Sequence, residues 1–223
     1  MSEQRTQPLV EVDPRHRNWV WRTIQIVLQL LFSVFLRYRA YGHRELEQYS
    51  GMLFLVNHQS FLDPLLVGLP LSRPVCFLAR DSLFRVPVVG WVLRSTYVMP
   101  INRESASTAV MRESIAKLKA GYWLGIFPEG TRSVDGQLGE LKPGFLAIVR
   151  RAQVPVCIVG IAGSQHAFGR GALFPRMAKV SVYFDSPMMP EELKSLLEHG
   201  EEHLLAEIRS RLEVSIVMAT SRN

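Results

Sequence analysis

The feature that most constrains this chain is an alternation. Short apolar or β-branched runs end in polar, Gly or Pro turns, and helical stretches separate several of them. The runs lie at Met52–Val56, Val75–Ala79, Thr96–Met99, Trp123–Phe127, Val156–Ile161 and Lys179–Phe184. The clearest helical stretch runs from about Ser107 to Lys119, with Met111, Ile115 and Leu118 on one face and Gly121 as a stop. The tail from Glu191 to about Met218 follows Pro190 and reads as one helix interrupted near Gly200, or two. This pattern predicts an α/β domain whose mixed, largely parallel sheet is flanked by helices. A chain of 223 residues is long enough for one such domain with an appendage. The division expected is an N-terminal arm and anchoring helix over 1–40, then the α/β domain over 41–223.

The appendage has its own signature. Between Trp19 and Arg37, the polar residues Arg22, Gln25, Gln29, Ser33 and Arg37 step by three or four, drawing one polar stripe along an otherwise apolar helix. The uncharged stretch, residues 23–36, would span only about 21 Å of a hydrocarbon core of about 30 Å. A spanning helix would also leave the stripe in hydrocarbon. The spacing therefore predicts an amphipathic, membrane-associated helix lying in the interface, with Trp19 and Trp21 at head-group depth. The alternative is a helix packed on its own domain. A secretory signal fits less well, because the preceding arm carries acids and no small-residue cleavage site follows.

The formal net charge is +6, with the excess of base between residues 73 and 170. A basic centre suits phosphate-bearing substrates and lipid head groups, or simply a soluble surface. No basic-aromatic repeat or known nucleic-acid motif accompanies it, so nucleic acid is not an expected partner. Cys76 and Cys157 both sit in apolar runs without metal or disulfide spacing, which reads as core residues of a reducing compartment. No metal site is expected.

Two segments carry chemistry. The first, Asn57-His58-Gln59-Ser60-Phe61-Leu62-Asp63-Pro64, follows a strand, where polar residues are placed to line a site. Asp63 before Pro64 predicts a helix N-cap, with His58 in the loop leading into it. A loop can fold His58 back on the carboxylate, giving a base and its orienting acid without a nucleophile of their own. The second, Ile126-Phe127-Pro128-Glu129-Gly130-Thr131-Arg132-Ser133, also ends a strand. Here a rigid guanidinium, hydroxyls and amides share one turn, a combination suited to phosphate. The plainer reading of this segment is a polar turn with an internal Glu–Arg pair.

Together, His58 and Asp63 with Phe127-Pro128-Glu129-Gly130-Thr131-Arg132 resemble the glycerolipid acyltransferase family. That family includes the 1-acylglycerol-3-phosphate acyltransferases, and its first signature is a histidine, four residues and an aspartate. Phe77-Leu78-Ala79-Arg80 through Gly90-Trp91 resembles the segment between the first two motifs, with Arg80 where lysine is frequent. Ile101-Asn102-Arg103 resembles the second motif, with Asn102 in place of the usual aspartate. Lys142-Pro143-Gly144-Phe145-Leu146-Ala147 and Val154-Pro155-Val156 resemble the lead-in and start of the fourth, with Ile158 where a second proline is common. The likeness covers roughly residues 40–165.

The resemblance implies transfer of a fatty acyl group from acyl-CoA or acyl carrier protein to a lysophospholipid hydroxyl, with 1-acylglycerol-3-phosphate the first-choice acceptor. His58 and Asp63 would be catalytic. Arg103 and Arg132, with Arg80 behind them, would grip the acceptor phosphate, alongside Gly130 and Thr131. Glu129 would position the acceptor or hold Arg132. No cofactor is implied beyond the acyl thioester substrate. The place would be a membrane, peripheral or monotopic, at the cytoplasmic face. Rival readings are the same chemistry on a lyso-aminolipid or lysophosphatidylglycerol, and a non-catalytic membrane-binding relative. No Gly-x-Ser-x-Gly elbow suggests an acyl-enzyme.

Overall fold

The computed structural model describes residues 18–101 and 108–223. In chain order the first half runs α1 (Trp19–Phe35), β1 (Arg39–Tyr41), β2 (Met52–Val56), α2 (Asp63–Gly68), β3 (Val75–Arg80), α3 (Asp81–Phe84), α4 (Pro87–Ser95) and β4 (Met99–Ile101). The second half runs α5 (Thr108–Lys119), β5 (Trp123–Ile126), α6 (Leu146–Ala152), β6 (Val156–Ala162), α7 (Ser164–Phe168), β7 (Ser181–Phe184), α8 (Pro190–Glu198) and α9 (Glu201–Ser221).

The strands form one seven-stranded sheet in the order β1-β7-β6-β2-β5-β3-β4. Every neighbouring pair is parallel except β6 with β7. β2 and β6 are buried along their whole length, which is why they read as unbroken apolar runs. Side chains alternate across the pleat, so β2 feeds two cores. Met52, Phe54 and Val56 meet Phe32, Leu66 and Phe77 on one face. Leu53 and Leu55 meet Leu118, Leu146, Ile208 and Leu212 on the other. There α9 lies so close to β6 that a Cβ on Gly160 would come within 2.2 Å of the Ser215 backbone.

The expected βα alternation and mixed sheet are present, and the tail resolves into two helices, α8 and α9, around Gly200. The strand expected at Thr96–Met99 starts three residues later, at Met99. Tyr97 takes a left-handed φ of 63° and Val98 N–H donates to the Leu93 carbonyl, a helix-ending geometry that uses those residues to close α4. β1, three residues long, gave no sequence signal because its run is too short for alternation to register.

In α1 the Asn18 side chain caps the first turn, accepting from Trp21 N–H at 2.7 Å. Trp21, Gln25 and Phe32 face the domain. Gln25 Nε2 donates to the carbonyls of Leu69 (3.0 Å) and Leu71 (2.8 Å), which follow α2, and Gln29 Nε2 donates to Leu69 at 2.8 Å. The middle of the polar stripe thus faces protein. The opposite side is apolar and exposed: Trp19, Ile26, Val27, Leu30, Leu31, Val34 and Phe35. Among the described residues no helix is long and apolar enough to cross a membrane.

Candidate active site

The site forms at the carboxyl ends of the central strands, where parallel sheets expose their loops. Asn57, one residue past β2, is buried and bonds Ile161 of β6 through both its amide groups, at 2.7 and 3.0 Å. That clasp sets the take-off direction of the loop that follows.

His58 and Asp63 meet. His58 Nδ1 lies 2.8 Å from Asp63 Oδ2. The same oxygen accepts from the N–H groups of Gln59 (2.6 Å) and Ser60 (2.7 Å), and Oδ1 accepts from the Ser164 hydroxyl at 2.7 Å. Asp63 is therefore not the N-cap expected from the Asp-Pro pair. It opens α2, which carries no side-chain cap, and its carboxylate turns back to donors upstream of itself. Burying a carboxylate at 0% exposure is costly unless donors compensate, and four do. With Oδ2 already accepting two N–H groups, Nδ1 carries its proton toward Asp63. That leaves the Nε2 lone pair able to accept a proton, on a side chain 18% exposed.

The imidazole also stacks on Phe127, with centroids 3.9 Å apart at 17°, and Phe127 stacks on Phe77 at 5.4 Å. A Cβ on Gly125 would press within 2.2 Å of the Phe77 ring, so glycine in β5 makes room for this pile. Phe77 also lines an apolar groove walled by Trp21, Ile24 and Leu28 of α1 and Leu65 and Leu69 from α2 and its end.

The second motif closes over the first. Glu129 is buried, and both its carboxylate oxygens accept main-chain N–H groups. Its Oε1 accepts from His58 N–H at 2.7 Å and its Oε2 from Gly139 N–H at 2.9 Å. Burial pushes its carboxyl above the usual glutamate value, more than these N–H bonds lower it. Gly130 turns the chain at a φ of 67° and is exposed, as is Thr131. Ser133 N–H donates to the His58 carbonyl at 2.8 Å, so the two motifs are joined through main chain on both sides of the histidine. Arg132 lays its guanidinium over the Phe61 ring, 3.4 Å from the centroid.

Arg80 closes β3 opposite Ile101. Arg103 and Asn102 lie outside the described residues. Sequence reasoning missed Ser164, which opens α7 101 residues from Asp63, and gave Phe127 no role although it lies inside the second motif. Both cysteines are buried and free. Burial pushes Cys76 up to about 11 and Cys157 well above the usual thiol value, so neither is a thiolate near neutral pH. Among the described residues no group of three or more His, Cys, Asp or Glu could hold a metal ion.

A buried carboxylate bonded to a half-buried imidazole at the carboxyl edge of a largely parallel sheet is an arrangement suited to moving a proton in a group-transfer reaction. The profile of the Acyltransferase family matches residues 37–162, and the chain belongs to that family. It is 29% identical over 173 residues to the 1-acyl-sn-glycerol-3-phosphate acyltransferase of Borreliella burgdorferi, covering 77% of this chain and 68% of that one. A chloroplastic 1-acyl-sn-glycerol-3-phosphate acyltransferase of Brassica napus is 34% identical over 114 residues, 50% of this chain and 33% of that one. The match thus spans about a third of the plant relatives' length. The crystal structure of the 1-acyl-sn-glycerophosphate acyltransferase from Thermotoga maritima superposes with a TM-score of 0.75 at 26% identity, covering 94% of this chain and 84% of that one.

Proposed function

We propose that this chain transfers a fatty acyl group from acyl-CoA or acyl carrier protein to the free hydroxyl of 1-acylglycerol-3-phosphate, giving phosphatidic acid. The observation that carries the reading is the His58–Asp63 contact, with the carboxylate saturated by donors and Nε2 left as a base. His58 Nε2 takes the proton of the acceptor hydroxyl as its oxygen attacks the thioester carbonyl carbon. Asp63 stabilises the imidazolium that forms. The tetrahedral centre then collapses, the C–S bond breaks, and His58 returns the proton to the departing thiolate. General base catalysis of this kind supplies about 10²–10⁴-fold in rate. Arg132, with Arg80 and Arg103, binds the acceptor phosphate, and the apolar groove lined by Phe77 and α1 takes hydrocarbon.

Residues 1–40 serve as the anchor and 41–223 as the catalytic unit. The exposed apolar side of α1 rests in the interface of the cytoplasmic leaflet, where a one-chain acceptor presents its hydroxyl at head-group depth. The test offers purified protein lysophosphatidic acid, lysophosphatidylglycerol and a lyso-aminolipid, each with labelled acyl-CoA or acyl carrier protein thioester. Labelled phosphatidic acid is the expected product. Label appearing only in another phospholipid reassigns the acceptor, and none in any lipid overturns the reading.

A further inference from the structure

Between α7 and β7 the chain runs Gly169-Arg170-Gly171-Ala172-Leu173-Phe174-Pro175-Arg176-Met177-Ala178-Lys179. Leu173, Phe174 and Met177 are 84%, 77% and 71% exposed, all on one short loop. Arg170, Arg176 and Lys179 flank them and are exposed too. Among the described residues none of these three cations is paired with a carboxylate within ion-pair distance. Large apolar side chains held in water mark a contact surface, and interspersed unpaired cations specify an anionic partner.

The loop is fastened at three points. Its end meets the end of α1: Val180 N–H donates to the Leu36 carbonyl at 3.0 Å, and Arg39 N–H to the Val180 carbonyl at 3.1 Å. Its beginning meets the catalytic loop. Ser60 bridges to Gly169, the Ser60 hydroxyl donates to the Phe168 carbonyl at 2.7 Å, and the Phe61 and Phe168 rings are 5.2 Å apart. Between these, Arg176 N–H donates to the Ala167 carbonyl at 2.8 Å, and Ala178 packs on the core. The exposed tip therefore projects from a fixed base whose far end is tied to Leu36, the residue after α1.

We propose that residues 169–180 form a second lipid-binding surface, which inserts Leu173, Phe174 and Met177 into an anionic leaflet while Arg170, Arg176 and Lys179 bind head-group phosphates. The inference rests on the membrane reading of α1. It adds a contact at the other end of that helix, joined directly to the loop that carries His58. The three exposed apolar side chains, on a loop tied beside the end of α1, favour lipid over an acidic protein such as acyl carrier protein, which charge alone would also attract.

The test places an environment-sensitive fluorophore at Phe174→Cys in the full chain, whose own cysteines are buried. On phosphatidylglycerol vesicles the label brightens and is quenched by spin-labelled acyl chains, with a smaller response on phosphatidylcholine. Arg170→Gln with Arg176→Gln weakens partition onto phosphatidylglycerol about 30-fold. A label that stays dark on vesicles with which the protein co-floats overturns the proposal and leaves α1 as the anchor. A label that responds to acyl carrier protein without vesicles overturns it in favour of a protein partner. A protein that floats with neither vesicle overturns it together with the membrane reading. Acyl transfer to acceptor in detergent micelles then shows whether the catalytic reading survives.

Discussion

Glu129 holds His58 by its main chain: its Oε1 accepts the histidine's N–H at 2.7 Å while Oε2 holds Gly139 at 2.9 Å. The carboxylate is a brace between loops, and burial raises its pKa above the ordinary 4.5. A raised acid binds more protons folded than unfolded, so its contribution to stability is full below pH 4.5 and falls as pH rises toward the folded value. Glu129→Gln removes that dependence along with one of the two bonds. The melting-temperature gap favouring wild type should be widest near pH 4 and narrow on going to pH 7. A gap that widens instead means the N–H donors outweigh burial.

Replacing His58 with Ala should lower kcat by about 100-fold or more with little change in melting temperature. Retention of more than a tenth of wild-type turnover sinks the base assignment. Ser164→Ala removes one of four donors to Asp63 and should cost about 1–3 kcal/mol, since the oxygen it leaves is buried. Thermal or denaturant unfolding reads that loss.

The Arg132 guanidinium carbon lies 3.4 Å from the Phe61 ring centroid, a contact that favours a guanidinium over an ammonium. Arg132→Ala should raise KM for the phosphate-bearing acceptor about 10- to 150-fold, the equivalent of ~1.5–3 kcal/mol for a charge-assisted contact, and leave KM for the thioester nearly unchanged. Arg132→Lys should rescue little of it. Equal effects on both substrates mean the residue only supports its turn.

The two sides of α1 should separate by mutation. Gln25→Leu strands the Leu69 and Leu71 carbonyls and should destabilise the domain by about 1–3 kcal/mol. Leu30→Gln, on the exposed side, should leave the melting temperature within about 2 °C, as surface changes do, yet weaken vesicle binding roughly tenfold. Stability loss from Leu30→Gln, or vesicle loss alone from Gln25→Leu, reverses the assignment of faces.

Much of this molecule is legible in its sequence because the informative residues are local. β2 and β6 announce themselves as unbroken apolar runs, and His58, Asp63 and Glu129 stand in two contiguous motifs at strand ends. What is not legible is what lies against each residue. Periodicity draws the stripe through Gln25 and Gln29 but does not say that the carbonyls after α2 cover it. The Asp-Pro pair suggests a cap, whereas the Asp63 carboxylate is claimed by Ser164 from far along the chain. Tyr97 reads as a strand residue by propensity, and only the ending of α4 puts it in a left-handed turn.

The sheet order places β1 beside β7, although the two are separated by most of the domain's sequence. On a ribosome adding about 5–20 residues per second, the first strand waits on the order of ten seconds for its partner, and Asp63 waits several for Ser164. The helix with the exposed apolar side is made before either. A nascent chain therefore presents the apolar side of α1 while its histidine still lacks a seated carboxylate, so that surface exists before the His58–Asp63 contact in every round of synthesis.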